Sequence, residues 1–307
     1  MRVFVTGATG FVGRGVVSAL IGAGHSVIGL VRRETASENS NVRYVTGSIT
    51  DTAPEVLAEA MQGCDAVIHL VGIIAEVRGE NQTFRRVHVD GTRNVLNAVK
   101  RANAGGTRFV YVSAIGATPD APAEYSRTKA EAESLTKSAG LPWTIFRPSI
   151  VLGKGAQFLA QMEDLIRKPP LSPFPLPFIP VPGDGQNRFQ PVHIGDLSHC
   201  ITACLSLPET ANRLFEIGGA EEVTFNELIT AIAARIGVKK PLFHAPMPAM
   251  FAAAAVMESV LSRPPITTDQ LQNLGRDNVC DNSAIQQAFS LSPVALNTIL
   301  DSCYQNR

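Results

Sequence analysis

Met1-Arg-Val-Phe-Val-Thr6-Gly7-Ala8-Thr9-Gly10-Phe11-Val12-Gly13 opens the chain and decides its fold. Val3 to Val5 are β-branched or aromatic and read as a buried strand. Glycines follow at positions 7, 10 and 13, and an apolar pattern of helical period then begins. In such a unit Gly7 permits the sharp strand-to-helix turn, Gly10 lets a pyrophosphate approach the backbone, and Gly13 lets the helix pack closely on the strand. A diphosphate would lie on free N–H groups at the helix N-terminus, where the macrodipole also favours negative charge. The glycine spacing alone is weak; its place between a clear strand and a clear helix gives it weight. The plain alternative is a glycine-rich turn that holds no ligand.

Strands and helices alternate outward from this turn. The pattern predicts a helix from Gly10 to Gly22, strands at Ser26–Val31, Val42–Thr46, Ala66–Val71, Arg108–Val112 and Trp143–Phe146, and helices at Pro54–Gln62, about Glu80–Asn103 and from Ala123. The strands are apolar nearly throughout, as strands covered on both faces must be. The fold class expected is therefore α/β, a doubly wound parallel sheet of Rossmann type. After Ser149 the texture changes. Seven prolines between 169 and 183 exclude helix and central strand, and predict an extended loop. Its apolar residues Leu171, Phe174, Leu176, Phe178 and Ile179 suggest a lid or pocket wall over a plain connector. A helix at Ile194–Leu207, a strand at Leu214–Ile217 and a helix capped by Thr224, with Glu227 in capping-box position, complete the pattern. Two parts are expected: residues 1–150 as a dinucleotide-binding domain, and 151–307 as a smaller, mostly helical substrate or partner lobe that partly re-enters the sheet.

Composition bounds the function. The 307 residues are 45% hydrophobic and 18% charged, enough for a sizeable core. Lys+Arg and Asp+Glu stand at 27 each, so no net field draws nucleic acid or an anionic membrane. The five scattered cysteines and six histidines show no metal-ligand spacing, and an odd, sparse cysteine set fits a reducing, cytoplasmic setting. The chain enters its first strand directly, so no leader segment is expected. Residues 245–262 are the most apolar stretch. They read as a packed helix, with a surface that docks on a membrane or partner as the alternative.

The chemistry lies at the ends of the strands. Strand two ends in Arg32-Arg33, where an NAD-specific pattern would place an acidic residue on the ribose 2′-OH. A guanidinium there would pair with a 2′-phosphate, so NADP is expected over NAD; the alternative is solvated surface charge. Strand five ends at Ser113, and Tyr125-Ser-Arg-Thr-Lys129 follows at the opening of a helix. Tyr125 and Lys129 are four apart, so they share a helix face. The ammonium is expected to lower the tyrosine pKa and prepare the phenol as an acid/base for a carbonyl or hydroxyl. Ser113 could hold the same oxygen, and Lys129 could reach the nicotinamide ribose.

Thr6–Gly13, Ser113, Tyr125/Lys129 and Arg147-Pro148-Ser149 resemble the short-chain dehydrogenase/reductase superfamily, on its extended or atypical branch. Within it the chain resembles the nucleotide-binding accessory subunit of respiratory complex I and its bacterial, epimerase/dehydratase-like relatives. His69–Ile74, Gly91–Val95, Tyr125–Glu133, Arg188–His193 and above all Pro264-Pro-Ile-Thr-Thr-Asp-Gln-Leu271 carry that likeness. The resemblance implies further cofactor contacts. Ser48 and Ile49 match the adenine-side pair, with Ser48 where the family usually has Asp. Leu70, Val71 and Gly72 match the turn after strand four, and Pro148, Ser149 and Ile150 match the nicotinamide-side loop. Gly7, Thr9, Gly10, Phe11 and Val12 match the pyrophosphate turn. His88 stands where relatives carry Asn, and reads as a helix residue satisfied by a neighbouring backbone group.

Two functions follow. One is an oxidoreductase or epimerase acting at a carbonyl or hydroxyl carbon, with Ser113, Tyr125 and Lys129 catalytic. The other is a non-catalytic NADP(H)-binding accessory or assembly protein of a respiratory complex, peripheral to a membrane. The apolar lid leans toward an apolar small-molecule substrate, and neither metal nor nucleic acid is expected.

Overall fold

The computed structural model describes residues 1–37, 39–77, 80–102, 106–168 and 175–305. Its first half runs β1 (Arg2–Thr6), α1 (Phe11–Gly22), β2 (Ser26–Val31), β3 (Val42–Thr46), α2 (Pro54–Met61), β4 (Ala66–His69), α3 (Gly91–Ala102), β5 (Arg108–Val112), α4 (Glu124–Lys137) and β6 (Trp143–Pro148). The remainder runs β7 (Val151–Leu152), α5 (Gln157–Arg167), β8 (Ile179–Pro182), β9 (Arg188–Phe189), β10 (Val192–His193), α6 (Ile194–Ala203), β11 (Arg213–Ile217), β12 (Val223–Thr224), α7 (Phe225–Arg235), β13 (Leu242–Ala245), α8 (Met247–Val260), α9 (Thr268–Leu274), α10 (Ser283–Phe289) and α11 (Leu296–Tyr304).

A Rossmann-type sheet of seven parallel strands forms the frame, in the order β3-β2-β1-β4-β5-β6-β11. The chain winds outward from β1 to β3, then returns to β4 on the other side of β1. That reversal opens a crevice at the carboxyl ends of β1 and β4, where ligands of open α/β sheets bind. Alternation along β1 shows why the strands are apolar throughout: Val3 and Val5 enter the core shared with Val16, Leu20 and Leu197, and Phe4 enters the core shared with Leu57, Val95 and Phe109. A third core gathers residues after Leu152, among them Ile166, Ile179, Leu228, Ile232 and Ile299.

Several expectations meet local physics. The proline-rich loop is a strand in part: β8 pairs in parallel with β13. The amides of Ile179 and Gly183 donate to Pro241 and Ala245, so Pro180 and Pro182 fall where an N–H would point away from the partner, as an edge strand allows. Pro169, Pro170, Leu171, Pro173 and Phe174 of the expected lid, and Asn103 at the end of the expected helix, lie outside the described residues. Ile179 is buried in the third core. Thr224 and Glu227 form the expected capping box at α7. The helix expected from Glu80 begins later, as a π-helical turn over Arg85–Asp90 running into α3. In α8 only Ala254 is buried, while Val256 and Val260 are exposed. Among the described residues no helix is long and apolar enough to cross a membrane.

Candidate active site

The opening turn behaves as its glycines require. Gly7 has φ +72°, a left-handed conformation that suits glycine. A Cβ on Gly13 would lie 2.0 Å from the Gly7 carbonyl oxygen, so only glycine lets α1 sit this close to β1. Gly10, the N-cap of α1, is exposed; the helix has no side-chain cap and no acidic residue in its first turn. Its leading amides are thus left for an anion. Phe11 and Val12 are half-buried, and the Phe11 ring packs beside Gly153. A cavity of about 1100 Å³ begins at this turn, with Thr9, Arg32, Arg33 and Gly72 in its wall.

Gly72 joins this cavity to the proposed catalytic group. The point where a Gly72 Cβ would stand is 3.1 Å from Lys129 Nζ and 3.5 Å from His88 Nε2. Lys129 is buried and donates to the Val112 carbonyl at 3.0 Å; its ammonium lies 5.1 Å from the centre of the Tyr111 ring. Burial pulls its pKa down to about 8, against the opposing pull of Glu133. Tyr125, one helical turn earlier, is pushed up to about 12 by burial first and by the Asp269 carboxylate second. The expected depression by Lys129 is therefore corrected: in the free protein, loss of hydration at the phenol outweighs the neighbouring cation. Ser113 at the end of β5 is 4% exposed, and its hydroxyl has no hydrogen-bond partner in the protein.

His88, on the π turn, is buried. Its Nδ1 meets Thr128 Oγ1 at 2.9 Å, and its Nε2 meets the Ile73 backbone at 3.1 Å. The backbone satisfaction expected of it is present, and its ring also stands edge-on to Tyr125 at 5.4 Å. Burial, with Lys129 nearby, keeps it neutral by lowering its pKa well below the usual value. His69 is a buried core residue between Thr6 Oγ1 (2.7 Å) and Thr92 Oγ1 (3.1 Å). Its pKa is lowered to about 3 by burial.

The flanking positions divide. Ser48 donates to Asp51 at 2.7 Å, and its amide donates to Thr52 Oγ1, so its hydroxyl is tied into its own turn. Ile49 is buried beneath Gly91. The Leu70 amide donates to Thr6 Oγ1, and Val71 packs against Gly7. Pro148 ends β6 against Ile217 of β11. Ser149 donates to Asn278 Oδ1 at 2.6 Å, and Ile150 is half-buried beside the third core. Arg147 is engaged structurally, with two bonds to the Glu133 carboxylate at 2.8 and 2.9 Å.

Three features escaped the sequence reading. Phe84 stands edge-on to Tyr125 at 5.9 Å. Gln157, Gln161, Gln270 and Arg263 give the cavity a polar far wall. Asp269 accepts from the backbone amides of Glu124 and Tyr125. The last lies within the Pro264–Leu271 stretch already singled out for its likeness to relatives, which was the signal available.

The model of the NAD dependent epimerase/dehydratase family matches residues 3–218. The chain belongs to that family. Among curated relatives, mitochondrial NADH dehydrogenase (ubiquinone) 1 alpha subcomplex subunit 9 of Dictyostelium discoideum is 28% identical over 236 residues, 74% of this chain and 62% of that protein. The chain thus spans under two thirds of that relative's length. Ceramide reductase of Caulobacter vibrioides is 28% identical over 265 residues, 84% of this chain and 77% of that one. The structure of UDP-glucuronic acid 4-epimerase from Bacillus cereus, in complex with UDP-glucuronic acid and NAD, shares the fold with a TM-score of 0.72. It is 20% identical, covering 99% of this chain and 98% of that one.

This family membership corrects the expectation of NADP over NAD. Epimerase/dehydratase structures of the same fold were solved with NAD. Arg32 and Arg33 are both exposed in the cavity wall. A hydrated guanidinium on a flexible stem does not by itself select a 2′-phosphate.

Proposed function

We propose that the chain is an NAD-dependent oxidoreductase that acts at a carbinol or carbonyl carbon of a sugar nucleotide. The observation that carries the reading is the unpartnered, buried Ser113 hydroxyl on the strand beside Lys129, next to a glycine turn built for a diphosphate. A buried hydroxyl without a partner is costly, and a substrate oxygen would satisfy it. Family membership and the NAD-bound structures of like fold support the cofactor.

In this reading Gly7, Thr9, Gly10, Phe11 and Val12 seat the pyrophosphate. Arg32 and Arg33 flank the adenosine, with Ser48, Ile49, Leu70, Val71 and Gly72 beside it, and Pro148 and Ile150 border the nicotinamide. When bound, NAD supplies the site that takes or returns a hydride. Ser113 holds the substrate oxygen, and Tyr125 passes a proton to or from it. Lys129 keeps a positive charge beside the phenol and holds the ribose. With its pKa near 12, the free phenol is protonated at neutral pH, the form that donates to a carbonyl oxygen. We assign residues 1–150 to dinucleotide binding and 151–307 to the substrate. Gln157, Gln161, Gln270 and Arg263 offer amide and guanidinium donors that match hydroxyls and phosphate, so they favour a polar substrate over the apolar one suggested by the proline-rich segment.

The test is turnover of UDP-glucose, UDP-glucuronic acid and dTDP-glucose with NAD+, against long-chain ketones with NADH. The expectation is conversion of a sugar nucleotide, falling about 10²- to 10⁴-fold in Tyr125→Phe with NAD+ affinity kept. Reduction of the ketones alone would overturn the substrate class, and full activity in Tyr125→Phe would overturn the assignment of the phenol. A second reading, an accessory subunit of a respiratory assembly, is supported by the relatives named as such subunits and by the exposed apolar side chains of α8. Co-purification with a membrane complex, lost when Val256 and Val260 become Ser, would favour it.

A further inference from the structure

Helix α4 carries Tyr125 in its first turn, yet its N-cap is Ala123, which has no side chain to hold the leading amides. The missing cap comes from elsewhere in the chain. Asp269, on α9, accepts from the Glu124 amide at 2.5 Å and from the Tyr125 amide at 3.3 Å. One helical turn along α9, Asn273 Oδ1 accepts from Ser126 Oγ at 3.0 Å. Helix α9 is itself fixed by its own capping box, Thr267 with Gln270, and by Glu258, which accepts from the Thr268 amide. Gln270, next to Asp269, stands in the wall of the large cavity.

We propose that Asp269 is the positioning residue of this site, a cap supplied from outside α4 that sets where the Tyr125 phenol stands and which charge it faces. The proposal rests on the assignment of Tyr125 as the acid/base. The carboxylate does two separable things. Its oxygen satisfies two amides that would otherwise be open, which orients the first turn of α4. Its negative charge, half-buried beside the phenol, holds the proton on Tyr125. The other groups around the phenol are Lys129 on the same helix, His88 and Phe84 from the π turn, and Tyr111 from β5. Lys129 is the only cation among these named groups and pulls in the opposite direction. Because Gln270 shares α9, a substrate seated on the cavity wall would press on the element that holds the catalytic helix.

Asp269→Asn keeps the accepting oxygen and removes the charge, whereas Asp269→Ala removes both. The chain labelled with ¹³C at the tyrosine ring carbon bearing oxygen is titrated by NMR, with Tyr125→Phe assigning the resonance. The Tyr125 signal is expected to begin its titration at lower pH in Asp269→Asn than in the wild type. In Asp269→Ala, kcat is expected to fall about tenfold or more with the KM for NAD+ held, since a misplaced acid/base costs rate. An unchanged Tyr125 titration in Asp269→Asn overturns the proposal, whether or not the alanine variant folds. The NMR arm needs no turnover, so an inactive wild type would count against the enzymatic reading while the positioning of Tyr125 is still decided.

Discussion

Gly13→Ala separates packing from ligand binding at the opening turn. The added Cβ would lie 2.0 Å from the Gly7 oxygen and 2.8 Å from the carbonyl carbon and oxygen of Ala8. All three are backbone atoms of the turn itself, so no side chain can swing aside. To restore ordinary contact at 3.4 Å, α1 must retreat from β1 by roughly 1.4 Å. Overpacking of this kind costs about 1–3 kcal/mol, which lowers the melting temperature of a domain this size by about 2–6 °C. The retreat carries the helix amides with it, so NAD+ affinity should fall about 100-fold, the usual cost of misplacement by this amount. Gly10→Ala is the control. Its Cβ would meet only the Gly7 oxygen, at 3.2 Å, and would project where a pyrophosphate must come. Melting should change little there while NAD+ binding is lost. Calorimetric titration and thermal denaturation read both quantities. Wild-type melting and wild-type NAD+ affinity in Gly13→Ala would refute the reasoning.

Two further predictions come from the buried polar groups. Ser113→Ala removes a hydroxyl that has no partner, so the free protein should melt at or above the wild-type temperature, while kcat falls about 10²-fold or more; a fall in melting temperature would show that the hydroxyl is satisfied after all. Lys129 has a native pKa of about 8 against its ordinary 10.5, so the unfolded chain binds more protons between those values. This group therefore makes stability rise as pH rises from about 8 to 10.5, and the gain is lost as pH falls back through 8. Urea unfolding at pH 8 and pH 10 should show that rise in the wild type and a smaller one in Lys129→Met; equal slopes would contradict it.

Much of the frame was legible because it depends on local pattern. β2, β3 and β5 fall where alternation and glycine punctuation place them. The exceptions have long-range causes. β4 ends at His69, before the expected Val71, because Leu70 and Val71 turn to meet Thr6 and Gly7. β6 runs on to Pro148 because β11, from much later in the chain, pairs with its full length. The π turn at His88 is a wider coil of the same residues, and no periodicity argument separates it from α-helix. At the site, the glycine turn and the Tyr125–Lys129 spacing were local and visible. The cap on Tyr125 was not, since Asp269 lies 144 residues away and meets the helix only in the folded chain. The sign of the Tyr125 shift was missed for a related reason: spacing reveals the nearby ammonium, but only the packed structure reveals how little water the phenol keeps. Arg32 and Arg33 show the limit of motif reading, because an arginine's presence says nothing of whether it is held or hydrated.

The most direct measurement is a crystal structure of the chain grown with NAD+. The account predicts the pyrophosphate over the amides of Phe11 and Val12, with the nicotinamide ring in contact with Tyr125 and within reach of Ser113. A dinucleotide bound elsewhere, or a nicotinamide turned away from the phenol, would contradict it.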